Sequence, residues 1–115
     1  MKRDTVRVFK ALGDSNRIRI VKMLEAKELC VCEVREILEL SNSTVSKHLS
    51  ILRDADLILD RKDGKWVNYR LNERSNNNFV RSQLALVKKS FSDDEQVSLD
   101  RKRLNKVDRN SICGM

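Results

Sequence analysis

Cys30 and Cys32, in the run Glu28-Leu29-Cys30-Val31-Cys32-Glu33, are the residues of this sequence best equipped for chemistry. Thiolates are soft ligands that select thiophilic ions, and a bound ion can itself drive off the thiol protons. The spacing restricts how this happens. Positions i and i+2 lie about 200° apart around a regular helix and about 180° apart on a regular strand, so in neither do both sulfurs reach one ion. Chelation therefore needs an irregular backbone, such as a strand-to-helix junction, or a turn that unwinds on binding. Binding would then distort the start of the helix that follows. The competing reading is that both are small buried core residues, a common fate of free cysteine. A third cysteine, Cys113, stands near the C-terminus in Ser111-Ile112-Cys113-Gly114-Met115.

The rest of the chain sets the compartment and the scale. At 115 residues it fits one domain able to hold a core without disulfides or structural metal. No run of about eighteen apolar residues occurs, and no apolar signal core follows Met1-Lys2-Arg3, so the expectation is a cytoplasmic protein with no membrane partner. In that reducing setting Cys30, Cys32 and Cys113 are expected to be available thiols and not a disulfide framework. Lysine and arginine number 24 against 17 aspartate and glutamate, a formal charge of +7 with a pI near 9.6, which favours polyanionic partners.

Hydrophobic spacing places the elements that position the cysteines. Val6, Phe9 and Leu12 predict a first helix over residues 4–12, ended by Gly13. Asp14 caps a second helix to residue 25, with Ile18, Val21 and Leu24 inward and Ile20 and Met23 widening the face. After the cysteine run a short helix extends to about residue 38. Ser41 is an N-cap for the next, expected from Asn42 to Asp54 with Val45, Leu49 and Leu52 as its core seam. Its opposite face carries Ser43, Thr44, Ser46, Lys47, Ser50 and Arg53.

Residues 57–61 and 66–71 are rich in strand formers and flank Asp63-Gly64, which suits a hairpin turn. On the second strand Val67, Tyr69 and Leu71 share one face, leaving Trp66, Asn68 and Arg70 on the other to reach a ligand. A last helix over residues 77–92 carries Val80, Leu84, Val87 and Phe91, a stripe that either covers the chain's own first helix or meets a second subunit, the second being the favoured reading. Beyond it, residues 93–115 read as a basic, partly disordered tail, helical at first and frayed later.

This order of helices and hairpin is that of a winged helix-turn-helix, a mainly α fold with a small β-hairpin. In that geometry the second helix of the pair enters the major groove and the hairpin reaches the backbone or minor groove. Ser43, Thr44 and Lys47 are then placed to touch bases, and Ser46 and His48 to hold phosphate or pack at the edge. Arg61, Lys62, Lys65 and Arg70 add cations on the wing. Read without that wing, the same face is an ordinary solvated helix surface, and a lone histidine is more often structural than a metal ligand.

With these residues assembled, the chain resembles the ArsR-type winged-helix metalloregulators, and most closely the repressors of arsenical-resistance operons. The resemblance covers residues 6–72 through FKALGDSNRIRIVKML, ELCVCEV, SNSTVSKHLSIL and DRKDGKWVNYRL, in that order. It implies a homodimer, joined through first and last helices, that represses a palindromic operator until As(III) or Sb(III) binds Cys30 and Cys32. In relatives of the ELCVC type a third cysteine often stands three residues after the second, where this chain has Arg35. A trigonal metalloid then takes its third ligand from solvent, a small thiol or Cys113. Related cadmium and lead sensors add cysteines from the N-terminal arm, and residues 1–29 hold none. Zinc and nickel sensors use His, Asp and Glu on the last helix, and residues 77–92 hold none.

The expectation is therefore a repressor and not an enzyme, with residues 1–92 as its DNA-binding and dimerisation domain and no permanently bound cofactor. The alternatives are the same fold answering to thiol oxidation, and a thiol oxidoreductase built on Cys-Val-Cys. Against the latter, the chain lacks a βαβ pattern and a Cys-x-Cys disulfide closes a strained ring.

Overall fold

The computed structural model describes residues 3–112, which run α1 (Arg3–Leu12), α2 (Ser15–Ala26), β1 (Leu29–Cys30), α3 (Val31–Leu38), α4 (Asn42–Asp54), β2 (Ile58–Asp63), β3 (Trp66–Leu71), α5 (Asn78–Lys89), α6 (Glu95–Leu104) and α7 (Arg109–Ile112). Local chemistry sets the helix starts. Asp14 Oδ1 accepts the Arg17 N–H at 3.1 Å, Ser41 Oγ accepts that of Thr44 at 3.2 Å, and Asn77 and Asp94 do the same for α5 and α6. α3 stops where Glu39 turns left-handed, at φ 58°, and a tight turn then delivers the chain to Ser41.

The expected hairpin is present, with Asp63 opposite Trp66 and Gly64 at φ 61° in the turn between them. It is joined by a strand that alternation alone does not reveal. Leu29 and Cys30 pair antiparallel with Tyr69 and Asn68, making a three-stranded sheet in the order β1-β3-β2. Two residues are too few to show a period. The core gathers Ile20, Met23 and Leu24 of α2, Val34 and Ile37 of α3, Val45, Leu49 and Leu52 of α4, and Leu57 and Ile58 entering the wing.

Four expectations change. In α1 the buried residues are Val8 and Ala11, whereas Phe9 is 58% exposed and meets Phe79 of α5 edge-on, with ring centroids 5.1 Å apart. Close approach of α1 to α2 and α4 uses the small side chains and leaves the ring outside. The α5 stripe is consumed by the chain's own core: Val80, Leu84 and Val87 are buried and available to no second subunit. That helix ends early because the buried Lys22 Nζ donates to the carbonyls of Val87, Lys88 and Ser90, and Phe91 lies beyond in a left-handed conformation.

The segment after Ser92 is more ordered than its polar composition suggests. α6 packs on α2, burying Leu104 and Val97. Asp100, 2% exposed, takes a two-pronged pair from Arg19, Nε to Oδ2 at 2.9 Å and Nη2 to Oδ1 at 3.0 Å. An internal arginine partner is what allows a carboxylate to be buried there. Finally, the Trp66–Asn68 face of β3, expected to be open, is covered: Asn68 is buried beneath Arg109 of α7.

Candidate effector turn and nucleic-acid interface

Cys30 is the last residue of β1 and the N-cap of α3, and Cys32 lies in the first turn of that helix, so the pair straddles a strand-to-helix junction. Cys30 is buried, at 2% exposure, and Cys32 half-buried. The junction is closed by Glu33, itself buried, whose Oε1 accepts the Cys30 N–H at 2.9 Å. This is a capping box with a sulfur where serine or threonine normally stands. Burial pushes the Cys30 thiol above its ordinary pKa, and the Glu33 carboxylate adds to the rise against the opposing pull of its backbone N–H and of Arg109.

One expectation about these sulfurs is corrected. Cys32 is disulfide-bonded, and not to Cys30, which is free. Two residues of chain cannot close the ring without strain, so the bond is made elsewhere. Soft-ion chelation at this turn thus begins from reduced Cys32. Among the described residues no three His, Cys, Asp or Glu side chains form a ready-made cage, and Cys113, one of the third ligands considered, lies outside them. Arg35, at the third-cysteine position of ELCVC-type relatives, donates instead to Ile112 O at 3.1 Å and to Asn42 Oδ1 at 3.4 Å.

The residues expected to contact nucleic acid divide. On α4 Ser43, Thr44, Ser46 and Lys47 are exposed while Val45, Leu49 and Leu52 are buried, so the polar face is presented outward. Thr44 Oγ1 accepts a hydrogen bond from Ser41 Oγ at 2.9 Å, and Ser43 Oγ lies 3.2 Å from Ser41 Oγ. His48 is half-buried and held from within the chain, Arg17 Nη1 meeting its Nδ1 at 3.1 Å. On the wing Arg61, Lys62, Lys65 and Arg70 are all exposed. Arg61 reaches Glu28 at 3.4 Å, and Lys65 Nζ stands 4.8 Å from the Trp66 ring centroid.

Two residues that sequence reasoning passed over also matter. Arg17 fastens α2 to the end of α1 through Ala11 O at 2.7 Å and to α4 through His48. Arg109 donates to Glu33 Oε1 at 2.9 Å and Asn68 Oδ1 at 3.0 Å, with its guanidinium carbon 4.6 Å from the Trp66 ring centroid. The partners that matter most, His48 for Arg17 and Glu33 and Asn68 for Arg109, lie dozens of residues away and leave no local signal.

A family model described as "Bacterial regulatory protein, arsR family" matches residues 14–59, from the cap of α2 through both cysteines and all of α4. The arsenical resistance operon repressor of Escherichia coli strain K12 is 49% identical over 67 residues, 57% of this chain and 57% of that protein. The arsenical resistance operon repressor of Bacillus subtilis strain 168 is 38% identical over 80 residues, 69% of this chain and 76% of that repressor. The chain belongs to the ArsR family of bacterial regulatory proteins. Its alignment to the Escherichia coli ArsR-family repressor spans little more than half of that protein's length. A neighbour in structure is a homodimeric winged helix-turn-helix DNA-binding domain from Mycobacterium bovis, described as a possible ArsR-family transcriptional regulator, with TM-score 0.63 and 27% identity, covering 74% of this chain and 75% of that one. These ArsR-family relatives are regulators, and no helix among the described residues is long and apolar enough to cross a membrane.

Proposed function

We propose that this chain is a dimeric transcriptional repressor that binds operator DNA through α4 and the wing and is released when As(III) or Sb(III) is held by Cys30 and Cys32. The observation that carries the effector half is the position of Cys30: it caps α3, the helix whose far end leads by a tight turn into α4. Drawing both sulfurs onto one ion moves that cap, and the movement is passed to the start of α4. The DNA half rests on the exposed Ser43, Thr44, Ser46 and Lys47, with His48 at the edge and Arg61, Lys62, Lys65 and Arg70 on the wing. For the dimer, Phe9, 58% exposed, Phe79 and Leu86, 57% exposed, form an apolar patch on α1 and α5.

Cys113 is proposed as the third sulfur of a trigonal site. What supports this is that the described chain ends with Ile112 O held by Arg35, which stands three residues beyond Cys32. X-ray absorption on the reduced, arsenite-loaded chain should give three As–S bonds, falling to two on Cys113→Ser. Three in both would assign the third sulfur to a small thiol.

A second reading, release by thiol oxidation, is favoured by the disulfide at Cys32. Titrating a labelled operator complex of the reduced protein with arsenite and, separately, with peroxide distinguishes the two. Release by arsenite is expected. Release by peroxide alone would replace the metalloid with an oxidant as the signal.

A further inference from the structure

Two residues of α7, Arg109 and Ile112, contact the cysteine-turn carboxylate, the wing and Arg35. Asp108 starts this helix, its Oδ1 accepting the Asn110 N–H at 3.0 Å. Arg109 then inserts between the cysteine turn and the wing. The Glu33 oxygen it binds is the one that accepts the Cys30 N–H, so one carboxylate oxygen is shared between the cap of α3 and α7. Its other acceptor, Asn68, pairs across the sheet with Cys30 and donates through Nδ2 to Asp63 at the wing turn, 3.3 Å away. The guanidinium also lies on the Trp66 ring, whose other cation is Lys65. At the far end of α7, Ile112 O is held by Arg35, and the same guanidinium reaches Asn42, the first residue of α4.

We propose that α7 is a latch, closed by Arg109, that couples the cysteine turn to the wing and, through Arg35, to the start of α4. Glu33, Asn68 and the Arg109 side chain are largely withdrawn from solvent, so these charged and polar contacts are made or lost together. When the Cys30 cap shifts, Glu33 leaves Arg109, Arg109 leaves Asn68 and Trp66, and the wing loses the brace that holds its Trp66–Asn68 face. The closed latch opposes ligand binding at the turn, because binding must break it. This rests on the reading of the Cys30 and Cys32 turn as the effector site.

Trp66 is the sole tryptophan and reports on the latch directly. The test is arsenite titration of the full chain in a Cys113→Ser background with excess glutathione, which supplies the third sulfur from solution in every variant. Sulfur-to-arsenic ultraviolet absorption, taken as the difference from protein-free arsenite and glutathione, follows binding, and Trp66 emission follows the wing. In the parent both should change with one midpoint. In Arg109→Ala the Trp66 response should fall, and arsenite should bind more tightly by about fivefold or more, since a coupling of this kind is reciprocal. A purely structural arginine predicts unchanged or weaker binding. Either that result, or a Trp66 response retained in the variant, would overturn the latch while leaving the effector assignment intact. Absence of the sulfur-to-arsenic absorption in the parent would instead overturn the effector assignment and the latch with it. Should circular dichroism show Arg109→Ala unfolded, Arg109→Lys, which keeps the charge but not the fork, carries the same test with the same sign.

Discussion

Cys30 and Cys32 show how little a side chain's identity says without its backbone. Their spacing excludes chelation from a regular helix or strand, and the junction between β1 and α3 is the irregular backbone that the spacing demands. Cys30→Ser and Cys32→Ser, each assayed in the reduced state, should keep operator affinity and lose arsenite release; loss of operator affinity would make the sulfurs structural. Lys47→Ala should weaken operator binding without altering arsenite affinity, and unchanged operator affinity would remove Lys47 from the contacts. Asp14 supplies a pH prediction. Although partial burial raises it, the Arg17 N–H and the charges of Arg17 and His48 hold its carboxyl below the ordinary 3.8. A folded-state pKa below the unfolded one adds stability above the unfolded value, and that stability is lost as pH falls through the folded value. Between about pH 5 and about pH 3 the wild type should therefore lose stability more steeply in urea melts than Asp14→Asn, which keeps the cap and removes the titration.

At the scale of elements, α4 is set by a serine cap, an apolar seam and a polar outer face, all of them local. Ser41→Ala should cost about 1 kcal/mol in urea denaturation. α6 is different in kind. Its sequence is polar and charged, with only Val97, Leu99 and Leu104 apolar, and what holds it is the fork of Arg19 on Asp100 together with the burial of Val97 and Leu104. Asp100→Ala leaves Arg19 without its carboxylate in a site that is mostly closed to water and should destabilise the chain by roughly 3 kcal/mol, read from the midpoint of unfolding. If stability were unchanged, α6 would be an appendage after all. The two-residue β1 strand likewise depends on its partner: Leu29 and Cys30 are extended because Tyr69 and Asn68 offer them a ladder.

For the whole molecule, the patch of exposed Phe9 and Leu86 with half-buried Phe79 lies on α1 and α5, outside the stripe that first suggested a subunit contact. Phe9→Glu with Leu86→Glu should give a folded monomer by analytical ultracentrifugation with greatly reduced operator affinity, since two half-sites are then no longer held at fixed spacing. A dimer that survived both substitutions would move the interface elsewhere. The latch at α7 acts at this scale too, tying residue 109 to residues 33 and 68 across three elements.

Much of this was legible in the chain itself. Residues 14–71 carry caps, apolar periods and an Asp-Gly turn, signals that act within a few residues of themselves, and they determined α2, α3, α4, the wing hairpin and the exposure of Ser43, Thr44, Ser46 and Lys47. The Cys-x-Cys spacing also required a junction before any junction was seen. Tertiary structure alone decided which stripes were spent on the chain's own core, as with Val80, Leu84 and Val87, and that Phe9 faces out while Val8 faces in. It alone brought Arg19 to Asp100, Lys22 to the end of α5 and Arg109 to the cysteine turn. Those pairings join positions 41 to 81 residues apart, and a charged side chain carries no local mark of the distant group that will neutralise it.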